Sequence, residues 1–262
     1  MPEAVVAIRD IAAMALPTPA VMLAAAMSIL AAALVRGFTG FGFALTAVPL
    51  LGLFMQPMQS VPVAVCLQLI IGLGDLPRAS RVCHWPSLRW LVIGGVIGSP
   101  LGALILRVAS APAARIMIAM ITAGAVVALN AGFRLAVAPS RSVTALVGMS
   151  AGLFNGLAAM PGPPVIIYYS AGPFGRVAAR ASMMVFFLVS SVAALISIAM
   201  LGLLNQSTVV LTALGVPVML FGTWLGDLGF HRGSDRLHRR VSIASLAVVA
   251  LGSAIKGVSD LF

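Results

Sequence analysis

The residues with the most chemistry to offer lie in one stretch, 36–49, which reads RGFTGFGFALTAVP. It interrupts a long apolar region with an arginine, two threonines, three glycines and a proline. A plain membrane-crossing helix needs none of these: glycine gives up helix stability and proline removes a backbone donor. In lipid, irregular backbone is tolerated only where protein or a water-filled cavity surrounds it. Arg36 is the sharpest candidate for binding chemistry. A guanidinium inside a membrane segment costs at least about 2.5 kcal/mol on the insertion scale and needs a partner or water. Its planar fork suits a sulfonate or carboxylate held through two hydrogen bonds. The alternative is an arginine that snorkels to the interface from the end of its segment.

A second interrupted stretch, GLFNGLAAMPGPP at 152–164, echoes the first. Gly40 and Gly152, and likewise Pro49 and Pro161, lie 112 residues apart. Paired Gly/Pro-interrupted segments in two halves of a chain point to a transporter's binding site. A half-helix beginning at Pro49 or Pro163 would turn its positive end and free backbone donors inward, toward an anion. Thr39, Gly40, Phe41 and Gly42 would then line one break, and Asn155, Met160, Pro161 and Gly162 the other. The competing reading is two buried kinks. Gln68, in the apolar run AVCLQLI, is a further candidate, with an interhelical hydrogen bond as its alternative. Arg180 opens the corresponding helix of the second half, a place where arginines commonly snorkel.

These residues need a scaffold, and composition says which kind. The chain has 262 residues, 61% hydrophobic and 8% charged, with a mean hydropathy of +1.12. Apolar runs approaching the roughly 20 residues that cross a bilayer recur throughout, so the expectation is an all-α polytopic membrane protein. The net charge of +10 would suggest nucleic acid in a soluble chain. Here the basic residues fall mostly in short loops, as the positive-inside rule produces, and nucleic acid is rejected as a partner. Cys66 and Cys83 make no disulfide framework, and the three histidines stand in basic loops, so no metal or other cofactor is expected. The first apolar run, preceded by Glu3, Arg9 and Asp10, reads as retained rather than cleaved.

Along the chain, apolar segments run over about 19–35, the broken stretch to 54, 61–74, 90–106 and 113–129. A polar loop at 75–89 separates the third from the fourth. The second half repeats the order over 142–159, a short run 165–169, a long helix ending near 204, 209–230 and 241–257. This divides a single transmembrane domain, 1–262, into a first repeat at about 19–130 and a second at about 141–260. Each holds about five apolar segments with a broken or re-entrant pair at its start. If the loops at 75–89, 130–141, 170–180 and 229–240 share the cytoplasmic side, they hold eleven of the sixteen basic residues. Corresponding loops then face opposite sides, which makes the repeats inverted, with both termini outside. Gly94, Gly98 and Gly102 recur at every fourth residue, as do Gly148, Gly152 and Gly156. Each series makes a smooth helix face for close packing or sliding.

RGFTGFGFAL with its following proline, GxxxGxPxG at 94–102, the GPP turn at 162–164, Arg180–Ser182 and GTWLGDLG at 222–229 together resemble the TauE/SafE sulfite-exporter-like family, also called the toluene-sulfonate uptake permease family. The resemblance covers about residues 20–257. It implies a multi-pass transporter of the bacterial inner membrane, built of two repeated halves, that handles small organic or sulfur-containing anions. The first motif departs from the family's GIGGG form, and Asn155 and residues 158–160 stand where glycines are frequent, which leaves the substrate open. The function expected is secondary transport of sulfite, an organosulfonate or a related anion by alternating access, with an anion channel of the same fold as the alternative. The partners are that anion and the lipid bilayer; a coupling ion or proton, and a homodimer, are left open. An enzyme would need convergent acids, histidines or a nucleophile–base pair, and the segments supply none. Asp75 and Asp227, the acids nearest to segments, read as loop-side residues, which argues against proton coupling through a buried carboxylate.

Overall fold

A computed structural model describes residues 17–39, 42–131 and 139–230. The described residues form nine α-helices and no strand: α1 (Pro19–Thr39), α2 (Phe43–Gly52), α3 (Pro57–Ala79), α4 (Trp85–Val108), α5 (Ala111–Ala131), α6 (Arg141–Ala158), α7 (Gly162–Ala171), α8 (Arg176–Met200) and α9 (Gln206–Phe230). Helices satisfy their backbone groups internally, which a chain this apolar requires in lipid. Five of them, α1, α3, α4, α8 and α9, are long and apolar enough to cross a bilayer. At about 1.5 Å per residue, the 23 residues of α3 extend about 34 Å, a little more than a hydrocarbon core. The last apolar run, 241–257, and the basic loop before it lie outside the described residues.

The most extensive interface joins α4 to α6, and glycine makes it. A Cβ added at Gly94, Gly98 or Gly102 would lie 1.9, 2.0 or 2.1 Å from the carbonyl oxygen of Ala145, Met149 or Leu153. From the other side, Cβ atoms at Gly148, Gly152 and Gly156 would lie 2.1, 2.2 and 2.1 Å from the carbonyls of Leu91, Gly95 and Ser99. Six positions thus bring backbone directly onto backbone, and the rising numbers on both sides show that the helices run parallel. The pair α1/α9 repeats the arrangement: Gly37 meets Thr223, Gly226 and Asp227, while Gly222 meets Leu30 and Ala33. Gly98 on α4 and Gly222 on α9 thus hold like places in the two seams, 124 residues apart.

The breaks require a different alignment. α1 ends at Thr39 and α6 at Ala158; α2 begins at Phe43 and α7 at Gly162. Both intervals are 119 residues, not 112. Pro49 lies inside α2, whereas Pro161 precedes α7 as its cap, so these prolines do different work. The half-helix of the first break starts six residues before Pro49, at Phe43. Its cap Gly42 has φ 89, a left-handed value that favours glycine whatever space surrounds it. The second break begins at Ala159, a non-glycine with φ 56. Ala159 N–H donates to the Asn155 carbonyl at 2.7 Å and Met160 N–H to the Phe154 carbonyl at 3.2 Å, the first of these being the bond of an αL helix ending.

α7 then folds back along α6. Tyr168 Oη and Thr144 Oγ1, in the first turn of α6, share a hydrogen bond at 3.1 Å. Tyr169 Oη and Ser87 Oγ, in the first turn of α4, share one at 3.0 Å. The short helix therefore ends beside the start of the helix that precedes it. α1 and α2 likewise bury Ala25, Ile29, Ala32, Ala33, Phe43, Ala47 and Leu51 in one apolar cluster.

Gly98→Leu is expected to abolish the α4–α6 contact, and with it the yield of folded, monodisperse protein in detergent. Gly124→Ala is the control. A Cβ at Gly124 meets nothing within 4 Å, so alanine there should hold or raise stability by up to about 1 kcal/mol. Thermal unfolding followed by size-exclusion profile reads both.

Candidate functional site

The two breaks meet at one cavity of ≈ 60 Å³, several times the roughly 10–15 Å³ that a single water needs. Gly42, Phe43, Ala44 and Leu45 bring the start of α2 to its wall; Ala159, Met160, Pro161 and Gly162 bring the start of α7. Gln68, Ile71, Gly72 and Asp75 of α3 and Met184 and Phe187 of α8 complete the lining with Arg36 and Ile166. Of the sequence candidates, Arg36, Gly42, Gln68, Met160, Pro161 and Gly162 are thus gathered around one space. Gly40 and Phe41 lie outside the described residues, as does the side chain of Thr39.

Two other expectations need correction. The sequence places Asp75 at the start of a polar loop, but α3 runs on to Ala79. Pro77 interrupts only the last turn, where losing one donor does not end the helix. The extra turn carries Asp75 to Arg36, whose Nη2 donates to Asp75 Oδ2 at 2.5 Å, with the two side chains 14% and 32% exposed. The intramembrane arginine therefore has its partner. The signal was available: an arginine in an apolar segment calls for a counter-charge, and Asp75 adjoins the end of a neighbouring segment. Removing either member would strand the other charge in the cavity wall, which costs more than the pair's net worth.

The second correction concerns Asn155. It is fully buried but is not among the lining residues of the cavity. Neither its Oδ1 nor its Nδ2 has a hydrogen-bond partner among the described residues. By the 119-residue interval it stands where Arg36 stands in the first half. Thr46 Oγ1 on α2 and Ser191 Oγ on α8 are likewise buried without partners. Arg115 lies in the first turns of α5. Arg180 is exposed and outside the lining, yet within electrostatic reach of Arg36.

The helix starts are unequal as anion sites. Neither α2 nor α7 has a side-chain cap, so among the described residues no side chain takes up their first-turn N–H groups. α2 offers three, at Phe43, Ala44 and Leu45. α7 offers Gly162, then Pro163 and Pro164, which have no N–H. Its dipole still points at the cavity, but the donors and the cation are on the α2 side. The apolar wall residues Ile71, Met184 and Phe187 carried no sequence signal, being indistinguishable from other core positions.

Membrane-length helices enclosing a partly polar cavity, with two short helices starting at its wall, define a multi-pass membrane protein with an internal polar site. The family model described as Sulfite exporter TauE/SafE matches residues 24–253, and the chain belongs to that family. It is 26% identical over 229 residues to the Probable sulfite/organosulfonate exporter TauE of Cupriavidus necator, covering 84% of this chain and 89% of that protein. No solved structure matches the chain.

Asn155→Leu should leave the protein at least as stable as the wild type, because a buried unpaired amide costs about 1–3 kcal/mol. The midpoint of thermal unfolding is expected to hold or rise. A fall of several degrees would show that the amide is held by a partner in the folded protein.

Proposed function

We propose that the protein is a secondary transporter that moves a small anion, sulfite, an organosulfonate or a related organic anion, across the bacterial inner membrane by alternating access. The observation that carries this reading is the convergence of Arg36 and the free first-turn N–H groups of α2 on one cavity shared by both breaks. A guanidinium fork supplies charge and planar geometry, and the helix start supplies oriented donors. Gln68, Met160, Pro161 and Gly162 line the rest of the site. Arg180 adds long-range positive potential beside the cavity. Family membership and the name of the Cupriavidus relative point to the same substrate class.

The scaffold for alternating access is an inverted repeat, the first over about 19–130 and the second over about 141–260. Helix directions support it. Gly215 abuts both Ile29 and Leu67, and Arg36 meets Asp75, so α1 and α3 run the same way. The short connection at 80–84 sends α4 back, and α6 runs parallel to α4. The first helix of the second half therefore opposes the first helix of the first. The α6–α7 and α1–α2 hairpins become re-entrant pairs entering from opposite sides, which suits a site at their meeting point.

Binding tests the reading. With a sulfonate as the probe on purified protein, Arg36→Gln should weaken affinity by roughly one to two decades. That is the equivalent of losing a charge-assisted hydrogen bond worth about 1.5–3 kcal/mol. Arg36→Lys should restore only part, since an ammonium lacks the planar fork. Arg107→Gln, exposed in the last turn of α4, is the control and should bind like the wild type. Equal affinities for both glutamine variants would remove Arg36 from the site. In proteoliposomes, trans substrate should accelerate efflux by exchange; flux that only follows the driving force would mark a channel.

A further inference from the structure

We propose that Asp75 is the proton-binding site of the transport cycle, occupying the guanidinium of Arg36 when the cavity is empty and giving it up to the substrate anion by taking a proton. The inference rests on Arg36 being the anion site. Asp75 Oδ2 already holds Nη2 of Arg36, and both residues line the cavity. A carboxylate has the same two-oxygen edge that a sulfonate or carboxylate substrate would present, so it stands in for the substrate on the arginine. An incoming anion meets this carboxylate at contact range. Two anionic groups so close cannot both stay ionised at little cost, and the weaker acid takes the proton.

The charges around Asp75 favour this exchange. Arg36 of α1 faces it directly. Arg180 of α8 lies within electrostatic reach of Arg36, and Arg78 follows one turn along α3. α2 brings no titratable side chain to the cavity. Asp227 of α9, packed by its backbone against Gly37, is the other carboxylate near this end of α1. With the cavity empty, the Asp75 carboxylate balances one arginine. With an anion bound and Asp75 neutral, the anion balances the same arginine, and the site's total charge is unchanged. The proton comes from the aqueous phase and ends on the carboxylate; Arg36 keeps its own. One proton therefore enters with each anion.

The sign follows from linkage. Uptake of a proton together with the anion makes affinity highest at low pH, falling by about tenfold per pH unit across the window in which the proton is taken up. The probe is ethanesulfonate, whose own charge does not change between pH 5 and pH 9, titrated calorimetrically into the full-length protein in buffers of differing ionisation enthalpy. The wild type should take up about one proton per anion within the window. Asp75→Asn should bind with no pH slope and more tightly than the wild type at about pH 8, while Asp227→Asn keeps the wild-type slope. Should Asp75→Asn fail to fold, the proton count on the wild type decides: zero uptake at every pH overturns the proposal. So does a slope that survives in Asp75→Asn or vanishes in Asp227→Asn. Flat, Arg36-dependent binding would sink the proton site and leave the anion site standing. A folded wild type that binds no ethanesulfonate at any pH would overturn both.

Discussion

Backbone resting on backbone along α4 and α6 is the contact on which the rest of the molecule depends. Between apolar helices in lipid there is little hydrophobic gain from association, so packing has to supply the attraction. Six glycines let two main chains approach until a single added methyl would overlap a carbonyl oxygen. The seam fixes how far α6 travels before it must turn: Gly156 sits against Ser99, and the break follows within three residues. The α1/α9 seam, with Gly37 against Thr223, ends beside the other break. Cavity and close packing are therefore one design, since each seam holds one helix, α6 or α1, whose end adjoins the cavity.

At those ends the chain leaves ordinary helix geometry. Gly42 takes a left-handed φ at no cost, whereas Ala159 takes one as a fully buried alanine. Non-glycine residues rarely sit there, and the strain is tolerated only where the surroundings over-determine the conformation. At Ala159 they do: two backbone hydrogen bonds close the helix behind it, and the tyrosines of α7 tie the returning strand of chain to Thr144 and Ser87.

Much of this was legible in the residues. Periodic glycines announced the seams, and interruptions by glycine and proline announced the breaks. Two things misled. Pro49 and Pro161 matched as letters, but a proline within a helix and a proline before one are chemically different places, and only backbone geometry separates them. Asp75 sat among arginines and a proline, so composition assigned it to a loop. Helix α3 continued because its last turn has an ion pair to make with a residue 39 positions away. Local sequence does not contain that partner. The apolar lining from α8 was equally unreadable, because a phenylalanine facing a cavity and one facing a neighbouring helix look the same in sequence.

The replacement of Arg36 by Asn155 at the equivalent break has a consequence for the resting molecule. On the proposed inverted repeat, two identical halves would make the inward-open and outward-open shapes related by a two-fold rotation and equal in free energy. The 119-residue interval sets Arg36 and Asp75 against Asn155 and Ala194, an ion pair against an unpaired amide beside a methyl. The two shapes cannot then be degenerate. On that proposal the unloaded protein would favour one face, set by whichever hairpin keeps its polar groups best partnered, and substrate would work against that bias rather than start from balance.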